Sequence, residues 1–156
     1  MKIAVISDTH RSSYETNKIL HIIEEVDMII HLGDNVEDAE TLAGYFKGRI
    51  ISVRGNCDFG SFAPSERLEV VEGKKIFITH GHRYDVKYGL SNLKYKAEEV
   101  GADIVLFGHT HESLVEYEKG IWFINPGSAS MPRDSSKSIA ILEIENSKVD
   151  ISLRKL

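Results

Sequence analysis

At 156 residues the chain is long enough for one domain with a full core, and its 42% hydrophobic and 28% charged residues are ordinary for a globular protein. A formal net charge of -5 argues against a general nucleic-acid binder held by a basic surface, although a bound divalent ion can reverse the sign of a pocket and leaves a phosphate substrate open. The single cysteine, Cys57, excludes an intrachain disulfide framework and fits a reducing cytoplasm; Ile3 to Ile6 is too short for a signal-peptide core, and no apolar run approaches membrane-spanning length.

Lys2 to Ser7 reads as a buried strand running into Asp8-Thr9-His10. Ile19, Ile22, Ile23 and Val26 recur at helical spacing and predict a helix over 14–26, with Ser12 or Ser13 as its cap. Met28 to Leu32 is a second strand, closed by Gly33-Asp34-Asn35. A shorter helix is expected over 37–46, its acidic first turn favoured by the dipole. Ile50 to Val53 is a third strand, closed by Gly55-Asn56-Cys57-Asp58. Helices alternating with three strands predict parallel pairing through right-handed crossovers.

The rhythm then changes. After an irregular loop from Phe59 to Pro64, Arg67–Val71 and Lys75–Thr79 flank Glu72-Gly73-Lys74, a hairpin signal, and the second strand ends in His80-Gly81-His82. Leu90, Leu93, Ala97 and Val100 mark a helix that Gly101 is placed to cap. Ile104 to Phe107 is a buried strand ending in Gly108-His109-Thr110-His111, where the glycine permits a close backbone approach. Two more hairpins follow, around Lys119-Gly120 and around Asn146-Ser147, separated by Asn125-Pro126-Gly127-Ser128. No repeat or linker interrupts the chain, so residues 1–156 read as one α/β domain. Its β content is too large for one parallel sheet, and two packed sheets flanked by helices is the expected architecture.

Five apolar strands each end in metal-capable residues: Asp8 and His10, Asp34, Asn56, His80, then His109 and His111. Ligands collect beyond the carboxyl ends of strands in open α/β sheets. Singly, Asp8, Asp34 and Asn56 are ordinary turn or cap residues, and His80 and His82 ordinary loop histidines; five strands delivering such groups to one edge is not. Of the other histidines, His31 inside a strand reads as a core or supporting group, and His21 as surface. Two carboxylates, four imidazoles and one amide suit borderline divalent ions, Mn²⁺ foremost, with Ni²⁺, Fe²⁺ or Zn²⁺ as alternatives. The absence of thiolates among them argues against a closed structural zinc site. Seven ligands exceed the need of one open site, so two ions sharing a carboxylate is the economical arrangement, suited to activating water and clamping a phosphoryl group.

This ordered series resembles the calcineurin-like metallophosphoesterase superfamily. The short chain, the Gly55-Asn56-Cys57-Asp58 turn, and Asn125-Pro126-Gly127-Ser128 followed by Pro132-Arg133 look like its small prokaryotic phosphodiesterase branch, the YfcE type. The resemblance implies a four-layer α/β/β/α sandwich with a dinuclear site. It implies Asp8, His10, Asp34 and His111 around one metal, Asp34, Asn56, His80 and His109 around the other, and Asp34 bridging. The sequence departs from the superfamily at Cys57, where a histidine is usual, which puts a general-acid step in doubt. Cys57 lacks an activating base nearby in sequence and is not expected to be the nucleophile. Asp58 and His82 are further candidates, as substrate-contacting or supporting groups. The tail turn is either structural or a source of backbone N–H donors for the substrate.

The expected function is a cytoplasmic, metal-dependent phosphodiesterase acting on a small phosphodiester, with no stable nucleic-acid binding and no membrane partner; a homo-oligomer is compatible with this reading. The alternatives are a phosphomonoesterase and a non-catalytic scaffold like the retromer subunit that shares the fold. The full set of seven ligand residues favours the enzyme.

Overall fold

The structure, a computed structural model, describes residues 1–10 and 13–156, and of residues 13–16 the backbone only. The capping role expected of Ser12 or Ser13 falls outside what is described. The first half is the expected alternation: β1 (Lys2–Ile6), α1 (Ser13–Ile23), β2 (Met28–His31), α2 (Glu37–Ala43) and β3 (Arg49–Ser52). β2 pairs in parallel with both β1 and β3, placing Ile3 opposite Met28 and Ile29 opposite Ile50. The second half supplies β4 (Glu66–Val71), β5 (Lys74–Thr79), α3 (Ser91–Val100), β6 (Ile104–Leu106), β7 (Ser113–Glu118), β8 (Ile121–Pro126), β9 (Ser138–Glu145) and β10 (Lys148–Lys155).

These strands form two five-stranded mixed sheets, ordered β10-β9-β1-β2-β3 and β4-β5-β6-β8-β7. β9 returns antiparallel to β1, so the last hairpin completes the first sheet rather than the second. Period-two alternation explains the layers. Ile3 and Val5 face the second sheet, meeting a core that includes Ile76, Ile78, Ile104 and Leu106. Ala4 and Ile6, between them in sequence, face α1 and α2 through Ile19, Ile23 and Leu42. On the outer face of the second sheet Phe77, Val105, Phe107 and Phe123 pack under Leu93 and Ala97 of α3. The result is the expected α/β/β/α sandwich. Strands buried on both faces account for the nearly continuous apolar runs in the sequence.

Boundaries differ from expectation by a few residues. α1 stops at Ile23 rather than running to residue 26, because the Glu25 and Val26 N–H groups bond back to Ile22 and Ile23 in a tightened last turn. α2 stops at Ala43, where Gly44 follows, rather than at 46. α3 ends as expected at Gly101, which is left-handed at φ 64° and donates to the Ala97 and Glu98 carbonyls. Two short 3₁₀ turns, His82–Tyr84 and Val86–Tyr88, were not anticipated. No helix among the described residues is long and apolar enough to cross a membrane.

Candidate metal centre

Parallel pairing of β2 with β1 and β3, and of β5 with β6, brings the ends of these strands to one edge of the sandwich. There the loops after β1, β2 and β6 deliver Asp8, His10, Asp34 and His111 as one group and, with His80 after β5, Asp34, His80 and His109 as another. In each group one potential ligand atom per residue lies within 4.8 Å of all the others. Asp34 belongs to both. The backbone that delivers them is unusual: Asp8, His10, Asp34, Asn35, His109 and His111 all have positive φ, between 46° and 86°. Such conformations cost free energy for non-glycine residues and collect where function demands them.

Hydrogen bonds define which imidazole nitrogens are available. His80 Nδ1 lies 2.8 Å from the Leu32 carbonyl oxygen, and His111 Nδ1 lies 2.7 Å from that of Met131. A carbonyl only accepts, so both Nδ1 atoms carry hydrogen and the neutral rings present bare Nε2 lone pairs. His111 Nε2 faces Asp8 Oδ1 at 3.0 Å, and His80 Nε2 lies 3.5 Å from Asp34 Oδ2 and 3.2 Å from His109 Nδ1. Asp8 Oδ1 and His10 Nε2 are buried with no hydrogen-bond partner among the described residues. A buried ring of acceptors facing acceptors is unstable unless a cation, proton or metal, sits among them.

The titration of these groups follows the same logic. Burial pushes the Asp8 and Asp34 carboxyls up, but the imidazoles of His111 and His80 outweigh it and hold both below the usual carboxylate range. Burial pushes His80 down, and the two aspartates more than compensate, so it is raised. His111 is raised by Asp8. His109 is held down at about 4, first by burial and then by His80. Protons are recruited where a divalent ion would compete for the same lone pairs.

The ligand groups are fixed from behind. Ser7 Oγ donates to Asp8 Oδ2 at 2.5 Å and the His109 N–H donates to the same oxygen at 3.3 Å, leaving Oδ1 for the centre. Gly108 makes this possible: a Cβ there would collide with Ser7 Oγ, which is the close approach expected of it. Asp58 accepts from four backbone N–H groups, those of Asn35 and Val36 on Oδ1 and of Asp34 and Gly55 on Oδ2, at 2.7 to 2.9 Å. It thereby holds the segment leading into α2 and locks the Asp34 turn to the β3 turn. With both oxygens turned into backbone, Asp58 is a supporting group rather than one facing substrate. Asp34 Oδ1 accepts the Cys57 N–H at 2.9 Å.

The remaining candidates divide. Asn56 is exposed, and its Nδ2 donates weakly to Cys57 Sγ at 3.5 Å. Cys57 is exposed, and its thiol is pushed up to about 11, by desolvation and then by Asp34, so it is neutral near pH 7. His82 stands with its ring 5.5 Å from that of His80 and 6.0 Å from that of His109, outside both groups. His31 is fully buried, accepting from Gly33 N–H through Nδ1 and bonding Thr9 Oγ1 through Nε2, the supporting role expected of it. His21 is exposed. In the tail turn, Asn125 holds the Gly108 carbonyl and Thr110, while Ser128 and Ser130 hydroxyls donate to the Asp8 carbonyl. The N–H groups of Gly127, Ala129, Ser130 and Met131 are already taken, which favours the structural reading of that turn. Ser7, Ser130 and the Met131 carbonyl were not anticipated as parts of the site, nor was the Ser128 hydroxyl's bond to the Asp8 carbonyl. Hydroxyls and main-chain oxygens carry no signature in sequence.

Comparison with known proteins agrees with the geometry. The model of the calcineurin-like phosphoesterase superfamily domain matches residues 1–147. The probable metallophosphoesterase YsnB of Bacillus subtilis is 40% identical over 148 residues, covering 94% of this chain and 86% of its own. The phosphodiesterase YfcE of Escherichia coli is 29% identical over 158 residues, covering 85% and 82%. Wild-type Vps29 of Entamoeba histolytica, solved with zinc, superposes with a TM-score of 0.80 over 100% of this chain and 98% of its own, at 21% identity, a likeness of fold. The chain belongs to the calcineurin-like phosphoesterase superfamily.

Proposed function

We propose that this metal-dependent phosphoric ester hydrolase acts on small phosphodiesters, using two divalent ions that the groups beyond the strand ends would hold, with Asp34 shared. The observation that carries this reading is that Asp34 lies in both groups of converging lone pairs, so two ions can be held by one carboxylate plus separate imidazoles. Asp8, His10 and His111 would complete one set; His80 and His109, with the Asn56 side-chain oxygen, would complete the other. At such a centre, two ions lower the pKa of water and neutralise charge developing on the phosphoryl oxygens. The chain's own contribution is preorganisation. His80 and His111 are clamped through Nδ1, Asp8 through Oδ2 and Asp34 through Oδ1, so the ligand atoms need not reorient as charge develops. Cys57, a neutral thiol beside Asp34, is a bystander to nucleophilic attack. The diester preference is supported by the YfcE relative.

Because a Vps29 was solved with zinc, metal binding does not separate enzyme from scaffold, and turnover must be measured. Protein stripped with a chelator should lose activity on a nitrophenyl diester. It should regain activity best with Mn²⁺ as two ions per chain are taken up, and should turn over the diester faster than the monoester. Full activity without metal would overturn the metal mechanism. Faster monoester turnover would make it a phosphomonoesterase. Two bound ions with no turnover of any ester would support the scaffold reading.

A further inference from the structure

β10 is a free edge of the first sheet, eight residues long and paired with β9 without a bulge over its whole length. A long, unbroken edge presents a row of unpaired backbone donors and acceptors, which proteins ordinarily blunt. The other edges are short or carry paired charges. β3 has four residues; Glu69 of β4 pairs with Arg49 and Arg67; Glu116 and Glu118 of β7 pair with Lys94. β10 contains no proline, and its exposed Asp150 and Arg154 have no ion pair among the described residues.

Pairing with β9 fixes what this edge offers. The Leu156 N–H donates to the Lys137 carbonyl, one step beyond the ladder, and alternate residues of an antiparallel strand turn their amides to the same side. Asp150, Ser152 and Arg154 therefore bond β9, while Val149, Ile151, Leu153 and Lys155 point N–H and C=O outward. Val149, Ile151 and Leu153 stand opposite Ile144, Leu142 and Ala140, so their side chains lie on the face that meets the second sheet; those of Asp150 and Arg154 lie on the other face. Leu153 is 41% exposed there.

One register satisfies this edge against a copy of itself. With an antiparallel partner and a two-fold axis at Ser152, Ile151 and Leu153 exchange backbone hydrogen bonds across the axis, as do Val149 and Lys155. Asp150 of each copy then faces Arg154 of the other, whereas within its own chain it faces Glu143, a like charge. Ile151 of each copy meets Leu153 of the other and covers it. An axis at Ile151 would set Lys148 against Arg154, and an axis at Leu153 would leave Asp150 against Leu156. An axis between residues would set outward amides against inward ones.

We propose that β10 docks on β10 of a second copy of this chain, joining two five-stranded sheets into one continuous sheet about a two-fold axis at Ser152. β10 and β1 are both antiparallel to β9 and so run the same way. The antiparallel partner therefore opens its candidate metal centre at the opposite end of the joint sheet, and both centres stay accessible.

Sedimentation velocity over a dilution series of the full chain tests it. The parent should sediment as a reversible dimer. Arg154→Asp, which sets carboxylate against carboxylate at both symmetric contacts, should weaken association by more than about tenfold, and Asp150→Arg should do the same with two cations. The double variant Asp150→Arg/Arg154→Asp should restore the dimer, because it reverses the pair. Both side chains are exposed, so folding is not at stake. Cross-linking reads the register. In a Cys57→Ser background, Ser152→Cys should form an intermolecular disulfide with a mild oxidant, because residue 152 faces its own copy with about 4.5 Å between Cα atoms. Asp150→Cys should stay reduced. A protein that is monomeric throughout the series overturns the proposal. So does a dimer that Arg154→Asp leaves intact, or one in which Ser152→Cys stays reduced, since either places the contact elsewhere.

Discussion

Positive-φ backbone occurs at both ends of the sandwich, for different purposes. At one end Glu72-Gly73, Lys119-Gly120 and Asn146-Ser147 reverse the chain in three hairpins, all exposed. At the other, Asp8, His10, Asp34, Asn35, His109 and His111 adopt similar φ values around the metal centre, with Asp8 and Asp34 buried. Hairpin turns need that conformation to match strand twist, and solvent satisfies their polar groups. At the site the same conformation turns carboxylates and imidazoles inward, where the chain leaves their lone pairs facing one another. The hairpin end is therefore where turn chemistry alone sets the backbone, and a better-matched residue can improve it. The site end is arranged so that a bound cation would stabilise it.

Four experiments press on this contrast. The largest effect is expected from Asp34→Asn, which removes the carboxylate common to both groups. Metal affinity and turnover should both fall by more than about 100-fold, beyond the range typical of losing a supporting residue, and by more than in Asp8→Asn. Elemental analysis alongside kinetics checks it. Next is Asp58→Asn, which keeps the shape but removes one acceptor from four backbone donors. A loss of about 10–100-fold in metal affinity is expected, with a concomitant drop in thermal stability because buried backbone donors around Asp34 lose an acceptor.

A smaller effect concerns His31. Burial holds this imidazole below its ordinary pKa of 6.5 and therefore neutral. An unfolded chain takes up a proton below that value while the folded chain does not, so acidification must destabilise the native state until the folded pKa is reached. Urea unfolding of metal-free protein between about pH 7 and about pH 5.5 should show His31→Gln losing less stability than the parent. The difference should be up to about 1.4 kcal/mol per pH unit. Parallel curves would mean that His31 is protonated in the fold. The smallest effect lies at the hairpin end. Glu72→Asn replaces a poor left-handed residue at φ 49° with the one preferred before glycine, giving Asn-Gly in the β4–β5 turn. A gain of about 0.4–1 kcal/mol with unchanged metal binding is expected, by analogy with conformationally matched turn substitutions.

How much was legible in the sequence follows from the range of the forces involved. Period-two and period-3.6 apolar patterns mark burial directly, so β1, β2, α3 and the three hairpins were readable, as was the stop at Gly101. Ends were less so: α1 stops three residues short because a local tightening of its last turn competes with the apolar spacing that continues to Val26. The ligand residues could be nominated because polar, metal-capable side chains repeatedly follow buried strands.

Tertiary structure decided everything that depends on one segment meeting another. No local pattern says that β9 pairs with β1, that Asp58 turns both oxygens onto the amides around Asp34, or that the Met131 carbonyl fixes the tautomer of His111. Nor could it show that Phe59 and Phe62, ordinary loop residues in sequence, stand almost fully exposed. The sequence by itself determined which residues are apolar, which can turn and which can ligate. Distances, bare lone pairs and the sharing of Asp34 come from long-range packing. They are set by the stacking of two sheets whose strands are far apart along the chain.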